Sequence, residues 1–300
     1  MFIAPHSSSQ QSKQSRGAAL RTILQSNSLS FVMEAHNGIS AKIAAEAGFE
    51  AIWASGLSMS AALGLRDRNE ASWTQIVDLA EIISEGVDIP VLLDGDTGFG
   101  DFNNVRRLVK KLCERGIAGV CLEDKKFPKQ NSFLSENQTL APIQEFCGKI
   151  RAAKDSQIDP SFVVVARIEA LVAGCGLDEA LQRADAYSEA GADAILIHSR
   201  KSTADEILEF CRRWDRRCPI VIVPTKYFNT PTQAFADANI SAVIWANHSL
   251  RASVKAMTEL TSRLMRDRSL IGIEDTVASV DEIFRLTNEA EVDAAERIYT

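Results

Sequence analysis

From residue 31 onward the chain repeats one unit eight times: a short apolar run rich in Val and Ile, then a longer stretch of helical spacing. The runs are FVMEA, AIWAS, PVLLDGD, GVCLED, FVVVARIEA, AILIH, IVIVPT and AVIWAN. Between them stand segments such as SAKIAAEAG, NNVRRLVKKLCERG, LDEALQRADAYSEAG and PTQAFADAN, three of which close with the Gly that a helix C-terminus favours. Strands joined by crossover helices pair in parallel, as a doubly wound sheet or as a closed barrel, and eight units favour closure. The expected fold is an α/β (β/α)8 TIM-type barrel. No linker or shift of composition interrupts the repeat, so residues 17–300 should form one domain. The first 16 residues, MFIAPHSSSQQSKQSR, are Ser/Gln-rich and read as a flexible tail, with too short an apolar stretch for a secretory signal. After residue 267 a further helical pattern, SVDEIFRLTNEAEVDAAERI, is apolar on one side and needs a surface to bury it.

Composition excludes several classes of function. A net charge of −7 argues against a nucleic-acid partner, which would require a basic face to displace counterions. No run of 18 apolar residues is present, so no membrane-spanning helix is expected. The six cysteines include no C-x-x-C pair, which suits a reduced, cytoplasmic protein. Any anionic substrate must then find local positive charge.

In a barrel enzyme the chemistry sits at the C-terminal ends of the strands, so polar residues there carry a functional reading. Strand three ends Asp94-Gly95-Asp96, and alternation along a strand can aim both carboxylates to one side, where a cation would relieve their repulsion. Strand four ends Glu123-Asp124, either of which could instead cap or pair locally. Strand five carries Arg167 and Glu169, and strand six ends His198-Ser199. An oxygen-rich set without a Cys or multi-His cluster suits Mg²⁺, with Mn²⁺ as the substitute, and not zinc. Arg167 and His198 could hold an anion that the metal also touches; Arg167 could equally serve Glu169 alone, and His198 could be a satisfied core histidine. Residues 124–142, DKKFPKQNSFLSENQTLAP, lack any periodicity and are long for a loop in a compact domain, which suggests a lid carrying Lys129, Asn131 and Ser132.

These residues, with the segments EAHNGISAKIAAEAGFEAIWASGLS, LGLRDRNEASWTQ, LLDGDTGFGDFNNVRRLV, GVCLEDKKFPKQNS, VARIEA, VIVPTKYF and VIWANHSLRAS, resemble the isocitrate lyase and phosphoenolpyruvate mutase superfamily over roughly residues 31–290. The resemblance implies a homo-oligomer, a dimer of dimers, whose last barrel helix is swapped between subunits, with one Mg²⁺ per subunit. It implies Asp94 as the direct ligand, with Asp67, Asp96 and Glu123 holding metal-bound waters. Trp53, Ser55, Gly56 and Leu57 would meet the pyruvyl part of the substrate. Arg167 and His198 would grip its carboxylate and phosphoryl group, beneath Lys129, Asn131 and Ser132. The implied reaction interconverts phosphoenolpyruvate and 3-phosphonopyruvate, as in phosphonate biosynthesis. Nearby alternatives are hydrolysis of phosphonopyruvate to pyruvate and phosphate and, further off, C–C cleavage of 2-oxo or 2-hydroxy diacids. Asp67, within LRDRNE, could also act as a nucleophile. Two departures from the family pattern stand out: Lys129-Gln130-Asn131-Ser132 replaces Lys-Thr-Asn-Ser, and Asp94-Gly95-Asp96 replaces Asp-Ala-Asp. The Lys-Lys-Cys-Gly-His loop of the lyases is absent.

Overall fold

The computed structural model describes residues 15–129, 131–132, 138–215 and 217–300. Its elements run α1 (Arg16–Gln25), β1 (Ser30–Ala35), α2 (Gly38–Glu46), β2 (Ala51–Ala54), α3 (Gly56–Ala62), α4 (Trp73–Glu85), β3 (Val91–Asp94), α5 (Phe102–Glu114), β4 (Gly119–Glu123), α6 (Ile143–Ser156) and β5 (Val163–Ile168). There follow α7 (Gly176–Glu189), β6 (Ala194–Ile197), α8 (Asp205–Trp214), β7 (Ile220–Ile222), α9 (Thr232–Asp237), β8 (Ala242–Trp245), α10 (His248–Asp267), α11 (Val280–Thr287) and α12 (Glu289–Tyr299). Each strand pairs in parallel with the next, and β1 closes on β8 with Phe31 opposite Val243, so the eight expected strands form a closed barrel. The three glycines that end helical segments, Gly48, Gly116 and Gly191, all have positive φ, as a helix C-terminus that stops in the left-handed region requires.

Alternation along the strands splits the core in two. Val32, Trp53, Leu92, Cys121, Val165, Leu196, Val221 and Ile244 fill the barrel interior. Ile52, Leu93, Val120, Val164, Ile195, Ile222 and Val243 face the helices and join the larger cluster between the layers. Two residues beyond an interior position lies another of the same parity. Leu92 leads in this way to Asp94, Cys121 to Glu123, Val165 to Arg167 and Leu196 to His198. The interior stack of the barrel therefore ends in polar side chains.

Sequence reading leaves residues 17–30 unassigned and places Ser15 and Arg16 in the tail. In the structure Ser15 caps α1, accepting from Ala18 N at 3.1 Å, and Arg16 begins the helix and donates to Ser84 O at 2.6 Å. Residues 1–14 lie outside the described residues. Leu20 and Leu24 of α1 pack into the interior cluster at the N-terminal ends of the strands. A side chain at Gly119 would come within 2.6 Å of Val163 O and 3.1 Å of Leu20, so only glycine lets the helix seat there. At the other end of the chain the expected helical pattern divides at Asn288, φ 63°, into α11 and α12. α11 lies on α2 of its own chain, through Arg285 to Glu46 at 2.7 Å and Lys42 Nζ to Leu286 O at 2.6 Å. α10 buries none of its 20 residues. Among the described residues no helix is long and apolar enough to cross a membrane.

Candidate active site

One pocket opens at the C-terminal ends of the strands. Eleven of the thirteen sequence-predicted site residues line it: Trp53, Ser55, Leu57, Asp67, Asp94, Glu123, Lys129, Asn131, Ser132, Arg167 and His198. Gly56 and Asp96 stand just behind that surface. Gly56 N donates to Asp94 Oδ2 at 3.3 Å, and a Cβ there would sit 3.2 Å from both Asp94 Oδ2 and Asp96 Oδ1, so the carboxylates pack against bare backbone. Asp96 reaches this place by a turn and not by strand alternation. β3 ends at Asp94, and Asp96 has φ 50°, a left-handed conformation uncommon outside glycine.

The carboxylates are crowded. Burial, against the pull of Lys129 and with the repulsion of Asp94, Asp67 and Glu123, pushes the Asp96 carboxyl up to about 7. Lys129 Nζ stands 2.6 Å from Asp67 Oδ1 and also contacts Asp96. Burial alone would lower this ammonium, but Asp96 and Asp67 hold it well above its ordinary value. The second Asp67 oxygen accepts from Asn131 Nδ2 at 2.5 Å. Burial raises the Asp67 carboxyl less than Lys129 and Asn131 lower it, so it stays charged. Glu123 Oε1 is buried without a hydrogen-bond partner, with the Lys125 ammonium 3.4 Å away. Unsatisfied, closely spaced anionic oxygens of this kind fit a hard cation. Among the described residues no three Asp, Glu, His or Cys side chains form a ready ligand cluster. Mg²⁺ keeps several of its waters and takes only one or two carboxylates directly, which this dispersed set can satisfy.

The cationic side of the pocket is organised by Glu169, fully buried after β5. Its carboxylate receives Arg167 Nε at 2.5 Å, His198 Nδ1 at 2.8 Å and Ser132 Oγ at 2.7 Å. Although burial opposes it, this array holds Glu169 well below the usual carboxylate range. Burial lowers His198, more than Glu169 raises it, which favours the neutral imidazole. Arg167 thus has the local partner that its sequence position leaves open, and it still faces the pocket. The two acids that end β4 part company: Glu123 turns inward, and Asp124 turns outward to Arg183 at 3.0 Å.

Several residues of the site escape the sequence reading. Lys125 Nζ is buried, donates to Ser132 Oγ at 2.9 Å and lines the pocket. Asn69 links two predicted residues, donating to Asp96 Oδ2 and accepting from Lys129 N, both at 2.7 Å. Val223, Thr225, Ala246 and Asn247 complete the wall from β7 and β8. Thr225 and Asn247 carry a usable signal, since each closes a strand run (IVIVPT, AVIWAN) as Glu123 and His198 do. Asn247 precedes α10, but Glu34 of β1 takes the first free amides of that helix, Ser249 N at 2.9 Å and Leu250 N at 3.4 Å. Relieved of capping, Asn247 turns a buried amide oxygen without a partner into the pocket wall. Gln130 lies outside the described residues.

The family model described as phosphoenolpyruvate phosphomutase matches residues 20–265. A phosphoenolpyruvate phosphomutase of Tetrahymena pyriformis is 56% identical over 93% of this chain and 94% of its own length. The crystal structure of a phosphoenolpyruvate phosphomutase from Streptomyces platensis subsp. rosaceus superposes with a TM-score of 0.92 at 41% identity, covering 94% of this chain and 99% of that one. A phosphonopyruvate hydrolase in complex with oxalate and Mg²⁺ gives 0.90, also at 41% identity, covering 95% and 99%.

Proposed function

The chain belongs to the phosphoenolpyruvate phosphomutase family, and from that premise we propose that it is an isomerase interconverting phosphoenolpyruvate and 3-phosphonopyruvate with Mg²⁺. The observation that carries the reading is the meeting, in one pocket, of an anionic cluster suited to a hard cation and a cationic wall of Arg167, His198, Lys125 and Lys129. Asp94, with Asp67, Asp96 and Glu123, would hold Mg²⁺ or Mn²⁺, whose positive charge when bound stabilises negative charge on the pyruvyl oxygens. The reaction is isomeric: the P–C bond of phosphonopyruvate breaks, a P–O bond to the enolate oxygen of the same molecule forms, and no proton is gained or lost. A loose phosphoryl transfer asks the protein for position and charge. Arg167 and His198, oriented by Glu169, grip the anion. Trp53, Ser55, Gly56 and Leu57 bound the pyruvyl part. Lys129 supplies charge to the phosphoryl group, and Ser132 positions it.

Asn131 separates rearrangement from hydrolysis in this reading. Its amide offers both a donor and an acceptor to the group in transit while water is kept out. Asn131→Ala should slow rearrangement by at least about tenfold, the order of one buried hydrogen bond made in the transition state, and should weaken binding of a substrate analogue less. Parent-like rearrangement by that variant would leave the residue no part in the chemistry. Asp67 serves here as a hydrogen-bonding and ligand-positioning group, because both its oxygens are committed to Lys129 and Asn131. Incubation of the protein with phosphonopyruvate and Mg²⁺, followed by ³¹P NMR, tests the whole reading. Phosphoenolpyruvate is the expected product; phosphate alone would make it a hydrolase.

We further propose a homo-oligomer, a dimer of dimers, in which α10 and α12 cover a second copy. α10 leaves Val254, Met257 and Met265 more than half exposed, and α12 does the same with Ile298. Truncation after residue 268 should reduce the particle to a smaller species in light scattering and lower its thermal midpoint. A truncated protein that kept the parental oligomeric state would exclude α11 and α12 from the contact between copies. The free thiols of all six cysteines suit a reducing cytoplasm.

A further inference from the structure

Asp124 follows directly on the strand that aims Glu123 at the pocket, and its own side chain turns the other way, into the layer between barrel and helices, where it is fully buried. A carboxylate there is costly unless every oxygen is answered. Asp124 Oδ1 accepts from Glu169 N at 2.9 Å, and Oδ2 accepts from Arg183 Nη1 at 3.0 Å and Tyr187 OH at 2.8 Å. Arg183 and Tyr187 stand one turn apart on α7, where residues four apart share a face, and Arg183 Nη1 also donates to Tyr187 OH at 2.8 Å. The same Nη1 reaches Ala141 O at 3.0 Å.

Ala141 and Asp124 are the two feet of the segment that presents Lys125, Lys129, Asn131 and Ser132. The feet are paired directly: Ala141 N donates to Asp124 O at 2.8 Å, Lys126 N donates to Thr139 O at 3.1 Å, and Lys125 bridges to Leu140. Three side chains outside the pocket thus bolt both feet of the phosphoryl-directed segment to α7. The same cluster also fixes the backbone of Glu169, whose carboxylate sets Arg167, His198 and Ser132.

We propose that Asp124, Arg183 and Tyr187 are positioning residues that determine how much of the transferred phosphoryl group returns to the enolate and how much is lost to water. The inference rests on the mutase reading. In the rearrangement the phosphorus passes from carbon to the enolate oxygen. In the leak a water oxygen bonds to phosphorus while the P–C electron pair stays on carbon as the pyruvate enolate. A proton from that water then ends on carbon, giving pyruvate and phosphate. Both routes share the early contacts made by Arg167 and His198. They part on whether Lys129, Asn131 and Ser132 stay close enough to exclude water, and that depends on the feet.

The test is the ratio of phosphate to phosphoenolpyruvate formed from phosphonopyruvate and Mg²⁺, read by ³¹P NMR. This ratio does not depend on how much of the sample is folded. Tyr187→Phe removes one hydroxyl from the cluster and keeps the ring. It should raise the ratio at least about fivefold, the order of one hydrogen bond. Asp124→Asn should raise it further. Arg183→Lys keeps the charge but loses the fork, and should fall between these variants and the parent. Phe210→Leu, in the α8 core away from the cluster, is the control: it should lower the thermal midpoint and leave the ratio alone. Rates that fall in the cluster variants at an unchanged ratio would reduce the cluster to plain structural support and overturn the inference, as would parental rates and ratios. A parent that itself releases mainly phosphate would refute the mutase reading and this inference with it. A parent that forms phosphoenolpyruvate beside variants of fixed ratio refutes this inference alone.

Discussion

Asp94→Ala should abolish Mg²⁺ binding and reduce turnover at least about a thousandfold, because the charge stabilisation a catalytic cation supplies is worth several kcal/mol. Asp94 lines the pocket and ends β3 at its interior parity, so its position is set by the sheet and not by a loop, and it lies against the bare backbone of Gly56. Its oxygens are met by the Gly56 and Asp96 amides at 3.3 and 3.4 Å, long contacts that leave them electron-rich. Asp96, by contrast, stands behind Lys129 and Asn69, so Asp96→Ala should weaken the metal by about ten- to a hundredfold, as loss of an outer partner does. Calorimetric titration with Mg²⁺ separates the two without recourse to activity. An Asp94→Ala protein that bound Mg²⁺ as tightly as the parent would remove Asp94 from the ligand set.

Arg167→Ala should cost stability as well as activity, and this distinguishes it from an ordinary binding residue. Glu169 is completely buried, and Glu123 nearly so; Arg167 Nε lies 2.5 Å from the first and 3.5 Å from the second. Removing the guanidinium takes the nearest counter-charge from Glu169 and one of two from Glu123, whose other is Lys125. Breaking a buried pair from one side costs about 3–5 kcal/mol. In a chain of this size the thermal midpoint should fall by roughly 5–8 °C. Turnover should fall with it, since His198 and Ser132 lose the neighbour that packs them against Glu169. Arg167→Lys should recover part of the melting temperature and little of the rate, because an ammonium cannot reproduce the planar fork. A Arg167→Ala protein that melted with the parent would show that Lys125 and Lys129 suffice to balance the site.

The barrel is legible in the sequence because most of its strands are buried on both faces and so read as near-continuous apolar runs. The catalytic ends are legible for the same reason, since a charged residue at the close of such a run, as Glu123 or Arg167 is, has nowhere ordinary to go. What escapes depends on distant pairing. Lys125 reads as one of three loop lysines, yet it is buried through Ser132 and Glu169, the second of them 44 positions away. Glu34 reads as a polar interruption of β1, and its role appears only when the start of α10, 215 residues later, arrives above it. Asp94 and Asp96 converge as expected but by a different route, since a left-handed turn, invisible to strand periodicity, aims the second. α1 has too few residues and too even a polarity for its pattern to stand out before the barrel it packs against is known.

That short helix has a consequence for the chemistry at the opposite end. With Leu20 and Leu24 sealing the floor beneath an interior already filled by Val32, Trp53, Leu92 and Cys121, the barrel offers no through-channel, and the pocket opens at the opposite end, at the rim. A reaction that splits its substrate into two fragments and rejoins them is well served by a dead-end vessel, since neither fragment has a back door. On that view the selectivity of such an enzyme is decided at its rim and by the buried groups that hold the rim in place.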